Sequence, residues 1–246
     1  MPQIDARGGI GLDSEQKVYH FLRSQIATQA LLPGAQIVEG QVVEQTGLSR
    51  TPVRAALRRL AYEGMVVLRP NRGTFVAKPT PKEVRDTYEA LLVLETQAIE
   101  LACEIISDED IARLRQLVEE SKSIFQRHDF DVFLDNNRNF HMGYVVSCRN
   151  KFLEKYIGEL IVMSNIHLLV YDDFRETPYE EFDSLREHQE IVDALESRDT
   201  ERCRKALVEH ICNTYYTLGL PLKLRADGAP LLGQPPAKQR RRGGGK

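Results

Sequence analysis

The chain has 246 residues, 42 % of them hydrophobic, and a net charge of −3. That length accommodates a small module beside a second domain of about 150 residues with its own core. No stretch approaches the ~20 apolar residues of a membrane span, and no apolar run near Met1 suggests a signal peptide, so a soluble cytoplasmic protein is expected. Cys103, Cys148, Cys203 and Cys212 lie far apart without a C-x-x-C pair, which points to buried thiols of a reducing compartment.

Charge is distributed unevenly. Residues 1–80 carry +4, residues 81–222 carry −13 and residues 223–246 carry +6. An acidic body repels a polyanion, so any nucleic-acid binding belongs to the N-terminal part, with help from the tail. Residues 1–11 are expected to be disordered. So is the tail, 223–246, which is rich in Gly, Pro and Gln and ends in a basic run.

The first element is a helix from about Ser14 to Ala30, with Val18, Phe21, Leu22 and Ile26 on its apolar side, ended by Leu32-Pro33-Gly34. Ile37 and Val38 suit a short strand, and Glu39 to Gln45 a second helix closing on Gly47. Ser49 is then a natural N-cap, and Pro52 falls in the first turn of the next helix. There Val53, Leu57 and Leu60 make an apolar stripe, while Arg50, Arg54 and Arg58 repeat every four residues elsewhere on its surface. A helix packed on one side and carrying guanidinium forks on the other suits a DNA major groove. Met65 to Leu68 and Thr74 to Ala77 then flank Arg69-Pro70-Asn71-Arg72-Gly73, a hairpin with Arg72 at its tip. Helix, turn, cationic helix and hairpin make a winged helix-turn-helix over residues 12–78.

Pro79-Thr80-Pro81 marks a linker over 79–82 and opens a second domain, 83–222, whose pattern is helical throughout. Thr80 with Glu83 reads as a capping box. Helices are expected near 81–105, 108–127, 129–147, 150–172, 178–197 and 199–219, joined tightly enough to form a six-helix antiparallel bundle. The fold class is therefore mainly α. The first bundle helix has a broad apolar face (Val84, Tyr88, Leu91, Leu92, Leu94, Ala98), to be shared between core and a partner.

Three histidines fall on three different inward stripes: His141 beside Phe140 and Tyr144, His188 with Leu185 and Val192, and His210 with Leu207 and Ile211. Three buried imidazoles need three separate partners, or one divalent cation. From spacing alone these alternatives stand level. Nitrogen ligands with coordination left open suit Zn²⁺, Ni²⁺, Mn²⁺ or Fe²⁺. His20, His128 and His167 lack this context and read as ordinary histidines.

Residues 14 to 78 resemble the DNA-binding domain of the GntR family of bacterial transcription regulators, through Leu32-Pro33-Gly34, Glu39, Gly47 to Arg54, Leu57-Arg58, Leu60, Glu63-Gly64 and Pro70 to Gly73. The resemblance implies that Ser49, Arg50, Thr51 and Arg54 contact DNA, with Arg72 and Gly73 doing so from the wing; Arg58, a turn further along, is expected to contribute less. Some members carry an arginine after the helix-two glutamate, where this chain has Gly40. Residues 81–220 resemble the FCD effector-binding domain of the FadR subfamily, through Leu94-Glu95, Phe140-His141, Arg149-Asn150, Glu187-His188, Ile191, Ala194, Asp199 and His210. That likeness implies a metal site of Asn137, His141, His188 and His210, with Asn137 in place of the commoner aspartate. It also implies an effector pocket, to which Leu91, Glu95 and Tyr144 are assigned. Members that bind a carboxylate often have arginine where this chain has Leu91, so a larger or less charged effector is expected.

The resulting expectation is a cytoplasmic, nucleoid-associated bacterial repressor that binds a palindromic operator as a homodimer under small-molecule control. The chain shows no H-E-x-x-H, no G-x-S-x-G and no phosphate-binding glycine loop, so an enzyme is not expected. A metal-dependent hydrolase and an architectural DNA-binding protein without an effector are the alternatives.

Overall fold

Val18, Leu22 and Ile26 repeat every fourth residue, and that spacing sets the first helix against its neighbours. The computed structural model describes residues 14–172, 174–178 and 182–220; the sequence expectations for 1–11 and 223–246 lie outside them. The chain divides into two units, 1–78 and 79–246.

In the first unit α1 (Ser14–Ala27) packs on α3 (Arg50–Tyr62), with α2 (Glu39–Thr46) beside them. Val18, Leu22, Val53, Leu57 and Leu60 are fully buried between these helices. α1 stops at Ala27, short of Ala30, because Gln29 turns the backbone into the left-handed region at φ 58°. α2 closes where expected, on Gly47 at φ 68°, whose N–H reaches Val43 O. Ser49 occupies the N-cap position of α3 with extended backbone but makes no side-chain cap hydrogen bond, so its hydroxyl stays available.

The wing differs from a plain hairpin. Strands β1 (Gln36–Ile37), β2 (Val66–Arg69) and β3 (Gly73–Val76) form an antiparallel sheet in the order β1-β3-β2. Thr74 pairs with Leu68 on one side and Ile37 on the other. A two-residue strand carries too little alternation to announce its pairing, so β1 was legible as a strand but not as the third member of this sheet.

The second unit contains six α-helices among the described residues: α4 (Pro81–Ile105), α5 (Asp108–Gln126), α6 (Phe130–Ser147), α7 (Lys151–Tyr171), α8 (Asp183–Glu196) and α9 (Thr200–Thr217). Their starts are set by side chains. Thr80 and Glu83 form the expected capping box, and Ser107 Oγ accepts from Asp110 N at 3.1 Å. Asn150 caps α7 and Asp199 caps α9. The helices close a ring, α4 packing on α7, α7 on α6, α6 on α5, α5 on α8, α8 on α9 and α9 back on α4.

One boundary is corrected. A helix from residue 178 was expected, but α8 begins at Asp183, and a 3₁₀ turn over Phe174–Glu176 precedes it. Aromatic packing explains the change. Phe174 lies 5.3 Å from Phe130 and 6.0 Å from Phe133 between ring centroids, and Phe182 stacks on Phe125 at 4.6 Å. Seating both rings in one cluster overrides the helix-start signal of Pro178. The four cysteines are free and buried. No helix among the described residues is long and apolar enough to cross a membrane.

Candidate functional site

The outer face of α3 carries the candidate DNA contacts. Arg54 and Arg58 lie opposite the buried Val53, Leu57 and Leu60, and Ser49, Arg50 and Thr51 open the helix; all five are exposed. Arg72 and Gly73 are exposed at the wing tip. Asn71 at φ 57° and Gly73 at φ 94° make the turn, and Gln36 Nε2 donates to Arg72 O at 3.0 Å. A Cβ on Gly73 would meet that Gln36 nitrogen at 3.1 Å, so both backbone angle and space select glycine.

The arginines of α3 are not equivalent. Arg59 lies 3.8 Å over the Tyr19 ring and donates to Glu63 Oε1 at 3.2 Å, while Tyr19 Oη donates to Glu63 Oε2 at 2.8 Å. Arg59 therefore packs the module together. Arg54 is held differently: its Nε donates to both Glu39 oxygens, at 3.1 and 2.9 Å, from the first turn of α2. Holding the guanidinium by Nε fixes its plane and leaves the terminal nitrogens outward, the fork that grips O6 and N7 of guanine. The sequence did not reveal this use of Glu39. Among the described residues, Arg50, Arg58 and Arg72 have no side-chain hydrogen-bond or ion-pair partner.

Inside the bundle the three predicted histidines converge. Ring nitrogens of His141 on α6, His188 on α8 and His210 on α9 lie within 4.8 Å of one another, and all three side chains are buried. His188 Nε2 and His210 Nε2 are 3.3 Å apart. Two carboxylates orient the outer pair of rings. His141 Nδ1 donates to Glu95 Oε1 at 2.5 Å and lies 2.9 Å from Tyr144 Oη, whose hydroxyl donates to the same Glu95 oxygen. His210 Nδ1 donates to Glu187 Oε2 at 2.9 Å, and Asn213 Nδ2 donates to Glu187 Oε1 at 2.7 Å.

Burial pushes the Glu95 carboxyl upward, but the His141 charge and the hydrogen bonds from His141 and Tyr144 outweigh it and hold it below the usual range. Glu187 behaves alike: burial raises it, and His210 and Asn213 bring it down. Both carboxylates are ionised, and each engages Nδ1 of its histidine, so Nε2 is the ring nitrogen left to meet a cation. His188 is driven well below the ordinary histidine range by burial and then by His210 and His141, so it is neutral; Phe140 stacks on it at 4.0 Å. Its Nδ1 is buried without a hydrogen-bond partner.

These residues fit a cation. Three buried ring nitrogens converge within 4.8 Å, and carboxylate-oriented imidazoles are the usual supports of a metal. Tetrahedral Zn–N bonds of 2.0–2.1 Å require neighbouring nitrogens roughly 3.3–3.4 Å apart, the spacing of the two Nε2 atoms here.

Asn137, buried one turn before His141, donates through Nδ2 to Asn165 Oδ1 at 3.0 Å, and Asn165 Nδ2 donates to Leu134 O at 3.0 Å. Its own amide oxygen is the atom it can offer a cation. Leu91 is buried on α4. Glu95 and Tyr144, assigned from sequence to an effector pocket, bond to His141 and so support the histidine trio. Glu187, Asn213 and Asn165 were not singled out as site residues. Glu187 directly precedes His188, where a charge on an amphipathic helix normally marks the wet face. His167, read as ordinary, is buried, and burial lowers it to about 4.

Residues 14–76 match the bacterial regulatory proteins, gntR family, and residues 86–213 match the FCD domain. The HTH-type transcriptional regulator McbR of Escherichia coli (strain K12) is 30 % identical over 199 residues, covering 78 % of this chain and 87 % of that protein. The chain belongs to the GntR family of regulators with an FCD domain. The HTH-type transcriptional repressor RspR of the same strain is 27 % identical over 203 residues, 80 % of this chain and 85 % of that protein. The solved structure of E. coli McbR/YncC superposes with a TM-score of 0.67 at 26 % identity, over 85 % of this chain and 98 % of that one. Domains and relatives are those of a transcription regulator rather than an enzyme. A GntR helix-turn-helix implies DNA binding, and an FCD domain implies effector binding.

Proposed function

We propose that this GntR regulator is a cytoplasmic repressor of the FadR subfamily that binds a palindromic operator as a homodimer and is released by a small molecule seated beside a divalent metal in the bundle. Relatives named as repressors support the sign of regulation. Residues 12–78 supply DNA recognition through Ser49, Arg50, Thr51, Arg54, Arg58, Arg72 and Gly73. Residues 79–82 act as the linker and 83–222 as the effector and dimer domain.

The observation that carries this reading is the histidine trio with Glu95 and Glu187 behind it. His141, His188 and His210, with the Asn137 amide oxygen, would hold Zn²⁺, Ni²⁺, Mn²⁺ or Fe²⁺. Bound there, the metal supplies a Lewis-acidic position for an oxygen of the effector. The chain's own residues do the rest. Glu95 and Glu187 keep protons on the far nitrogens, Tyr144 restrains Glu95, and Leu91 gives the effector an apolar wall. Two recognition helices are needed to read a palindrome. Val93, Leu101 and Ile105 on α4, and Phe152, Tyr156 and Met163 on its neighbour α7, are exposed apolar residues suited to a second copy.

The test is His188→Ala. Metal analysis should show loss of bound metal, and thermal stability should stop responding to added Zn²⁺ or to chelator, because a ligand of the native state stabilises by mass action. Wild-type protein whose stability ignores both additions would sink the metal reading.

A further inference from the structure

Among the polar groups that the bundle helices leave unmatched, two have neighbouring rings. Tyr88 on α4 and His167 on α7 are 2 % and 4 % exposed, and their rings lie 6.1 Å apart between centroids. Tyr88 Oη and His167 Nδ1 are both closed off from solvent without a hydrogen-bond partner. Thr217 donates to Asp172, and Tyr171 Oη donates to Pro79 O at 2.7 Å, whereas Glu89 Oε1 and Thr96 Oγ1 on α4 are, like Tyr88 Oη, buried without a partner. A folded core rarely leaves two buried polar atoms on neighbouring rings unmatched unless something else binds them.

Their position relates them to the histidine trio. Tyr88, Leu91 and Glu95 recur at i, i+3 and i+7, one face of α4, which puts Tyr88 two turns, about 10 Å, from the Glu95–His141 pair with Leu91 between. The charge of this interior is one-sided. Among the described residues of the bundle, the buried charged side chains include Glu95, Asp172 and Glu187 but no lysine or arginine. Burial, then Asp172 and Glu95, push the Tyr88 hydroxyl far up, so it is always a donor; burial keeps His167 neutral. A hydroxyl donor and a neutral imidazole beside carboxylates suit an uncharged acceptor and oppose an anion.

We propose that Tyr88 Oη and His167 Nδ1 form a polar subsite that takes a carbonyl or hydroxyl group of an uncharged small molecule, whose other end reaches the histidine trio past Leu91. This rests on the bundle being an effector domain, and goes beyond it by naming a second anchoring point and excluding a carboxylate there.

The test uses zinc-loaded full-length protein and paired probes: pentitols, hexitols and aldonolactones against the aldonates of the same skeletons, with affinities from calorimetry. Uncharged members should bind more tightly than their acids. Tyr88→Phe, which removes one oxygen, and His167→Leu should each weaken that binding about tenfold, leaving zinc content unchanged. Tighter binding of the acids, variants that bind every probe as the wild type does, or no binding of any uncharged probe would overturn the proposal. So would a lone water bridging the two groups in crystals of probe-saturated protein. Zinc content, measured on the same samples, tests the metal reading independently.

Discussion

Arg54 shows how far a single side chain is determined by its neighbour. Glu39 holds Nε with both oxygens, so the guanidinium plane is set before DNA arrives. The pair is half exposed, and its worth to stability is small. Its worth to recognition is geometric. Arg54→Ala should weaken operator binding by about 1–3 kcal/mol without loss of fold, as read by titration of an operator selected from random duplexes. Arg54→Lys should fail to restore it, because an ammonium cannot make the bidentate contact. Glu39→Gln should leave affinity for random duplex unchanged and flatten selection at one base pair. Unchanged operator affinity in Arg54→Ala would show that α3 does not dock through this residue. The same scale explains what the sequence hid. The histidines stood out because imidazoles interrupt apolar stripes. Glu39 and Glu187 did not, because a carboxylate on a helix is by default a solvated one; Glu95 was assigned to an effector pocket, and only the fold shows that it meets His141.

Helix ends separate local from tertiary control. Thr80, Ser107, Asn150 and Asp199 start helices by hydrogen bonds confined to one turn, and the starts expected near 81, 108, 150 and 199 fall on or beside them. The start of α8 was not, because the Phe125, Phe130, Phe133, Phe174 and Phe182 cluster joins four segments of chain and outweighs the cue of Pro178. The pairing of β1 was missed for a related reason, since its place in the sheet comes only from β3. At the end of α6 the element carries a cost. Arg149 sits just past the helix at φ 55°, where a Cβ is strained and glycine is favoured. Relief of that strain exceeds the added flexibility of the unfolded chain by a modest margin, so Arg149→Gly should stabilise by about 0.5–1 kcal/mol, a melting-temperature rise of roughly 1–4 °C. Arg149→Ala removes the charge but keeps the Cβ, and should show no gain. Equal effects from the two variants would assign the change to charge instead.

At the scale of the whole molecule, the opposite charges of the two parts agree with their separate tasks. A positive module suits phosphates, and an acidic bundle concentrates cations around a histidine site that could hold one. The described units have their own cores, one around Leu22, Leu57 and Leu60, the other around Phe140, Ile157 and Ile191. A divalent ion on the histidines of α6, α8 and α9, with α4 behind it through Glu95, would tie together four of the six bundle helices. Its stabilisation should therefore be spread over the bundle rather than confined to the ligands. At metal a hundredfold above its dissociation constant, mass action gives about 2.7 kcal/mol, or a rise of roughly 5–10 °C in the bundle's transition. Hydrogen exchange followed by peptide should show zinc slowing amides across α4, α6, α8 and α9 while those of α3 keep their rates when DNA is absent. Glu95→Gln should reduce this protection without abolishing it, since the amide still accepts from His141 but no longer offers a full charge. Slowing restricted to the immediate neighbours of the three histidines would show that the ion does not bind these helices into one unit, and so could not pass the effector's presence beyond its own pocket.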